Sequence, residues 1–217
     1  AKKGIKRILI TGHSLGGAMA TIAAANLVSQ NHLFSHGLKI LLYTFGAPRV
    51  GNMQFADWLL ASFCRGGHES YRVTHKRDPV PHVPPRSIGY LHVPREVWYD
   101  NDGNTNGRIC NDVVGRPCTD LTAKEDPRCS NSARLTSVRD HLNYLGVCTK
   151  CSCVSSESTS DEELRLSPEL EWIVAMDYNY QQSRHMSRLL SFQRASQRAL
   201  KPVEENESST KKTFIIC

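Results

Sequence analysis

The stretch Ile8–Val28, ILITGHSLGGAMATIAAANLV, constrains the fold more than any other part of the chain. An apolar run stops at Thr11-Gly12, one serine stands between glycines, and a small-residue pattern follows. The run Lys6–Thr11, bounded by glycine, reads as a strand buried on both faces. Leu15–Gln30 reads as a helix, and its apolar part Ala18–Val28 as a buried one. The chain therefore turns sharply at Ser14. Gly12-His13-Ser14-Leu15-Gly16 fits G-x-S-x-G in the strand-then-helix setting that gives the motif its meaning. A serine hydroxyl is a weak nucleophile and reacts only where a base reaches it. A tight turn projects it into a cleft, and flanking glycines let strand and helix approach each other. The helix start then lies beside the reacting oxygen, with the Leu15 N–H aimed at a developing oxyanion. A phosphate-binding turn would need GxGxxG or a closing Lys-Ser/Thr, and this stretch has neither.

The following segments continue the alternation. Lys39–Phe45 is a second buried strand, Asn52–Phe63 has helical spacing with Asn52 as N-cap, and Tyr71–His75 alternates as a third strand. Strand, helix, strand, helix, strand predicts an α/β class with a mostly parallel sheet. Asp78–Pro85 holds four prolines in eight residues, which excludes a helix interior or central strand and leaves a stiff loop. Tyr90–Tyr99 reads as one or two short strands, and Asp140–Leu145 ends the unit near Gly146.

A serine in such a turn needs an acid and then a histidine, in that chain order. Asp78 lies just past the carboxyl end of the Tyr71–His75 strand, where functional groups collect in open α/β sheets. Asp57 falls in a helix pattern, and Asp100 and Asp102 in a loop of Asn and Gly, so Asp78 is the candidate acid. Nine histidines compete for the base. His13 is expected to point away from the cleft, and His75 to be a core or edge residue. His82 and His92, in or near the proline loop, are placed to line a site. His32, His36, His68 and His185 stand in polar surroundings. His141 follows all the strands, where the last member belongs, but position alone leaves the choice open. Asp140 beside it reads as a surface charge or a local acceptor.

The net charge is +6, unevenly spread. Residues 1–147 hold 18 Lys/Arg against 11 Asp/Glu, and residues 148–217 hold 9 against 10. A basic unit attracts anionic surfaces or simply stays soluble, but its cations are scattered and no nucleic-acid motif accompanies them. No apolar stretch approaches the roughly 20 residues that span a bilayer. Among eight cysteines, Cys110, Cys118 and Cys129 sit in a loop of Gly, Asn, Asp and Pro that gains from disulfides, with pairing open. The cluster Cys148, Cys151 and Cys153 lacks a second CxxC or HxxxH, which argues against a metal site. Residues 148–217 read as a separate extension: an acidic linker at Ser155–Glu163, a helix from Ser167-Pro168 to about Leu200, and an unstructured polar stretch at Glu204–Lys212 near the end. The helix mixes apolar residues with arginines, which suits docking on its own domain, a partner or a membrane surface.

GHSLGGAMA (12–20), YTFGAPRVGNMQFA (43–56), RVTHKRDPVPHVPP (72–85), YLHVPREVWY (90–99) and DPRCSNS with DHLNYLG (126–146) resemble the fungal-type, class 3 triacylglycerol lipases. The resemblance runs from residue 1 to about 147. It implies an α/β-hydrolase fold and cofactor-free hydrolysis of lipid esters at a lipid–water interface. On the matching positions Ser14 is the nucleophile, Asp78 the acid, His141 the base, and Leu15 one oxyanion donor. A phospholipase A1 or a short-chain esterase is the nearest alternative on this scaffold, and an inactive lipid-binding product the more distant one. The family carries its lid and its first oxyanion residue ahead of the elbow. Only about a dozen residues precede Ser14, and the first is Ala1, so the chain reads as N-terminally truncated, with an open sheet edge. The cysteine-bearing loop and the resemblance favour secretion, while CTKCSC also suits an acylated, membrane-associated intracellular tail.

Overall fold

The computed structural model describes residues 6–30, 37–101, 106–110, 117–119, 121–133, 136–149, 173 and 175–178, and the backbone of 212–216. The chain opens with β1 (Arg7–His13), α1 (Leu15–Ser29) and β2 (Lys39–Phe45). It continues with β3 (Gly51–Asn52), α2 (Met53–Gly66) and β4 (Glu69–His75). Asn52 caps α2 as its sequence position implies, its side-chain oxygen accepting the Phe55 N–H at 3.0 Å. The proline loop turns through two short 3-10 segments, Val80–His82 and Arg86–Ile88, with a cis Val83–Pro84 bond between them. β5 (Tyr90–Leu91) and β6 (Glu96–Tyr99) are the two short strands of the next segment, followed by β7 (Arg108–Cys110). A single turn, α3 (Val138–His141), leads into the hairpin β8 (Asn143–Tyr144) and β9 (Val147–Cys148). The hairpin turns on Leu145 and Gly146, both at positive φ, as a tight two-residue turn demands. Lys212–Ile216 forms β10.

Six strands form one sheet in the order β10-β1-β2-β4-β6-β7, parallel except for β7. Along β2, buried residues alternate with half-buried ones. Ile40 and Leu42 join Ile10, Ala20, Ala24, Ala25, Val28, Leu59 and Phe63 in a core between that face and both long helices. Burying a side chain the size of Ile40 or Leu59 contributes about 1.5–3 kcal/mol. β1 and β2 are thus deeply covered on one face rather than on both. The same asymmetry corrects the reading of α1 as a wholly buried helix. Its small residues lie against the sheet, while Leu15, Met19 and Ile22 are 68%, 48% and 55% exposed. Alanine and glycine let helix and strand come close, and that shifts the larger apolar residues outward.

Disulfides join Cys64 to Cys118 and Cys110 to Cys129, so all four cysteines of the main unit are paired, and Cys148 is disulfide-bonded as well. Two parts of the extension pack on the main unit. Residues 173 and 175–178 are helical, and Asp177 is fully buried. The remainder of the expected 167–200 helix and the acidic linker lie outside the described residues. β10 opens on Lys212, the last residue of the polar stretch Glu204–Lys212, and pairs with β1 along the edge expected to be open.

Candidate active site

Ser14 follows the last residue of β1 and precedes the first of α1. Its backbone sits at φ 55°, ψ −129°, a region costly for a residue with a Cβ. The Ser14 N–H donates to the Phe45 carbonyl at 2.9 Å, which ties the strained turn to the end of β2. A Cβ on Gly12 would lie 2.2 Å from the Gly16 carbonyl oxygen, so glycine is required for the chain to fold back this tightly. Leu15 begins α1, and its N–H is therefore one that no intrahelical carbonyl can accept.

Asp78 emerges three residues beyond β4 and is 2% exposed. Its Oδ1 accepts the Val80 N–H at 2.8 Å, the first fixed point supplied by the proline loop. Its Oδ2 accepts from His141 Nδ1 at 2.9 Å and also from the Tyr144 hydroxyl. A carboxylate oxygen accepts, so Nδ1 carries the proton and Nε2 is left without one. Nε2 stands 2.9 Å from Ser14 Oγ. The structure thus brings together Ser14, His141 and Asp78, residues separated by 127 and 63 positions.

The loop bearing His141 is held from below. Ser137 caps α3 by accepting the Asp140 N–H. Asp140, 5% exposed, accepts the Arg77 N–H at 3.1 Å and faces Lys76 and Arg77, so it is a local acceptor rather than a surface charge. His75 is a buried residue whose Nδ1 meets the Asp140 carbonyl at 3.1 Å.

Three contributors were not evident from the sequence. Tyr144 is buried, and burial together with the Asp78 charge pushes its phenol pKa well up, so it stays a neutral donor. Its place three residues after His141, on a strand of period two, was the available signal. Gly46, at φ 56°, has no room for a Cβ: one would come 2.6 Å from Asp78 Oδ2 and 2.7 Å from the Tyr144 hydroxyl. His13 does not point away. Its ring lies 4.6 Å from that of His141, and its Nε2 donates to the His141 carbonyl at 2.8 Å. Burial lowers the His13 pKa, which disfavours a positive charge beside the His141 ring.

His82 and His92 belong to a different cluster around Arg49. The Arg49 guanidinium donates to both Glu125 oxygens and to Asp177 at 2.8 Å, and to the His82 and Pro84 carbonyls at 2.7 and 2.9 Å. His82 Nδ1 is 3.5 Å from Asp177, and the His92 N–H donates to Glu125 at 2.9 Å. Burial opposes charge on Arg49, but Glu125 and then Asp177 outweigh it and raise the pKa. Burial likewise works against Glu125, whose pKa Arg49 nevertheless holds well below the usual carboxylate range. Among the described residues, the ligand atoms of Glu96, Cys110 and Cys129 lie within 4.8 Å of one another. The two sulfurs are bonded to each other, so no thiolate is available there for a metal.

Residues 1–88 match the family model for lipase (class 3). A lipase of Rhizopus niveus is 38% identical over 142 residues, covering 65% of this chain and 32% of that one. The secreted mono- and diacylglycerol lipase 1 of Fusarium solani is 35% identical over 161 residues, covering 73% of this chain and 44% of that one. A solved triacylglycerol lipase, described as having a serine protease triad at its catalytic centre, superposes with a TM-score of 0.54 at 36% identity, covering 66% of this chain and 49% of that one. The chain thus spans about a third to under half of the length of these curated relatives. The shared architecture is the α/β-hydrolase fold that the resemblance implied, and its mostly parallel sheet is the one the order of elements predicted.

Proposed function

Residues 1–88 belong to the class 3 lipase family, and from that premise we propose that this chain carries the catalytic centre of a serine hydrolase that cleaves lipid esters. In this reading His141 Nε2 takes the Ser14 proton as Oγ attacks the ester carbonyl. Asp78 holds the imidazole tautomer and balances the imidazolium that forms. The Leu15 N–H, at the start of α1, donates to the oxyanion. His141 then gives its proton to the departing alcohol, and an ester bond to Ser14 remains. Water attacks that acyl-enzyme with His141 as base, which releases the fatty acid and restores the serine. No step needs a cofactor.

The observation that carries the proposal is the unbroken chain from Ser14 Oγ through His141 to Asp78, two contacts of 2.9 Å on a strained elbow. An apolar ester suits the surroundings: Leu15 beside the nucleophile is 68% exposed, and Leu145 and Val147 after the base are 42% and 63% exposed. These residues fit an acyl chain delivered from a lipid–water interface. The disulfides and the secreted Fusarium relative support an extracellular setting. Residues 1–147 are the catalytic unit in this proposal, and residues 148–217 an extension whose described parts pack on it.

A fluorophosphonate probe tests the centre directly, because it labels only an activated serine. The chain is expected to label at Ser14, with labelling abolished in Ser14→Ala and reduced at least about a thousandfold in His141→Ala. A folded chain that does not label refutes the proposal. Rates on triacylglycerol, phosphatidylcholine and p-nitrophenyl butyrate then decide between a lipase, a phospholipase A1 and a short-chain esterase.

A further inference from the structure

Asp177 carries the extension into the ion cluster and is fully buried there. Its contacts reach the two loops that frame Asp78. Oδ1 accepts the Arg86 N–H at 2.7 Å, while Oδ2 meets Arg49 at 2.8 Å and His82 Nδ1 at 3.5 Å. The first loop is the proline loop, with Asp78 near one end and Arg86 near the other. Between them the 3-10 turn Val80–His82 places the His82 N–H on the Pro79 carbonyl at 3.0 Å and the Val83 N–H on the Val80 carbonyl at 3.1 Å. Pro79, Pro81, Pro84 and Pro85 have their φ angles fixed by their rings, so the segment moves as one stiff piece. Arg49 grips three of its carbonyls, those of His82 and Pro84 through Nη1 and that of Val83 through its own backbone N–H at 2.9 Å. The second loop follows β2 and runs from Gly46 to Arg49. Gly46 leaves no room for a Cβ beside Asp78 Oδ2. A shift of Arg49 or of the proline loop therefore reaches Asp78 from two sides, through Gly46 and through Pro79.

We propose that Asp177 is a positioning residue for the triad acid: it holds Asp78 in line with His141 through Arg49 and the proline loop, so that the extension takes part in setting the reactivity of Ser14. Glu125 accepts from Nε and Nη2 of Arg49, and Asp177 supplies a second carboxylate to Nη2. Nη1 is thereby left to the loop carbonyls. With the Asp177 charge removed, the guanidinium follows Glu125 alone, and the Arg86 N–H loses an anionic acceptor. The triad tolerates little of the resulting displacement, since a misplacement of about 1 Å costs on the order of a hundredfold in rate. The catalytic consequence rests on the function proposed above, whereas the placement of Asp78 against His141 does not.

Asp177→Asn in the full chain tests this, because the amide keeps the shape and removes the charge. The His141 ring is faced by Asp78, Ser14 and His13, and Tyr144 shares Asp78 Oδ2 with it; the substitution alters none of these groups. A carboxylate that stands further from His141 stabilises its imidazolium less, so the His141 pKa falls. For p-nitrophenyl butyrate, kcat/KM should drop about ten- to a hundredfold through kcat, with KM unchanged, and its acid limb should move to lower pH. Val28→Ala, in the core beneath α1, controls for general loosening: it should lower the unfolding midpoint and leave the acid limb in place. An Asp177→Asn chain that loses stability but keeps the parent's kcat and acid limb overturns the proposal. Arg86→Pro beside Arg86→Ala covers a variant that fails to fold, because the pair differs in the N–H that Asp177 accepts. The proline variant should lose activity relative to the alanine one and show the lower acid limb, and equal profiles in the two overturn the proposal. Nitrogen NMR titration of the His141 ring separates this inference from the reading beneath it. A parent chain that does not label with fluorophosphonate, but whose His141 pKa still falls on Asp177→Asn, refutes the hydrolase and keeps the positioning role. A His141 pKa that stays in place overturns the positioning role whether or not the parent labels.

Discussion

Two of the buried carboxylate sites among the described residues, those of Arg49 and of Asp78, are finished differently. Around Arg49, five N–H donors of one guanidinium meet five acceptors, two of the partners being the carboxylates of Glu125 and Asp177. A permanent cation thus answers permanent anions, and nothing in the cluster gains by moving a proton. Asp78 is as deeply buried, but the donors described on it are a backbone N–H, a phenol and an imidazole. None carries a fixed positive charge. Its negative charge is therefore left to be matched by the one partner that can become a cation, His141. A closed ion cluster fixes the position of chain segments, whereas a carboxylate surrounded by neutral donors is poised to stabilise a transient imidazolium.

The largest test of this contrast is Asp78→Asn. The amide keeps the shape but removes the charge and the tautomer control. Ester hydrolysis and probe labelling are expected to fall by about four orders of magnitude, with thermal stability close to that of the parent. A loss below tenfold would mean that Asp78 is only another structural carboxylate.

Arg49→Met tests the other cluster. It strands two buried carboxylates and is expected to cost about 3–5 kcal/mol in urea unfolding. The pH dependence carries a sign. Glu125 and Asp177 have lowered pKa values in the folded chain, where the cation contacts outweigh burial. They therefore add stability that is fully present above the unfolded values of about 4 and is lost as pH falls through the lower folded ones. Without Arg49, burial dominates and raises those values above the unfolded ones. The variant should then become more stable as pH falls from 7 to 5, while the parent stays nearly flat. Equal slopes for parent and variant would show that the carboxylates do not depend on Arg49.

The same contrast separates what the sequence made legible from what it did not. Ser14, Asp78, the strand Lys39–Phe45 and the Asn52 cap each announce themselves through neighbours a few residues away. A strand pattern, a turn or a cap is a local property of the backbone. The choice of His141 among nine histidines already required the resemblance, because position left alternatives. The Arg49 cluster joins residues 76 and 128 positions apart, and no local pattern pairs them. His82 and His92 looked like site residues because they lie near Asp78 in sequence, yet the proline loop turns them toward Glu125 and Asp177. His13 was expected to avoid the cleft because it stands inside the elbow next to Ser14, yet its ring packs against that of His141. β10 was missed because five apolar-rich residues after a polar stretch carry no information about which edge they meet.

The smallest expected effect concerns the boundary between the two kinds of cluster. Tyr144 donates to the same oxygen of Asp78 as His141 does, and Gly46 leaves the space for it. Tyr144→Phe keeps the ring contacts with His13 and Phe45 and removes the hydroxyl alone. A hydrogen bond to a charged group contributes about 1.5–3 kcal/mol, so stability should fall by roughly the lower figure. The catalytic effect has a definite sign in acid–base terms. With one donor removed, more of the Asp78 charge acts on His141, and the pKa of the free enzyme read from kcat/KM should rise. A rate loss of about tenfold with that rise assigns Tyr144 to orienting the carboxylate and tempering its charge. The same loss with an unshifted profile leaves it only a packing role. Comparison with Asp78→Asn then measures how much of the carboxylate's contribution is its charge and how much its orientation.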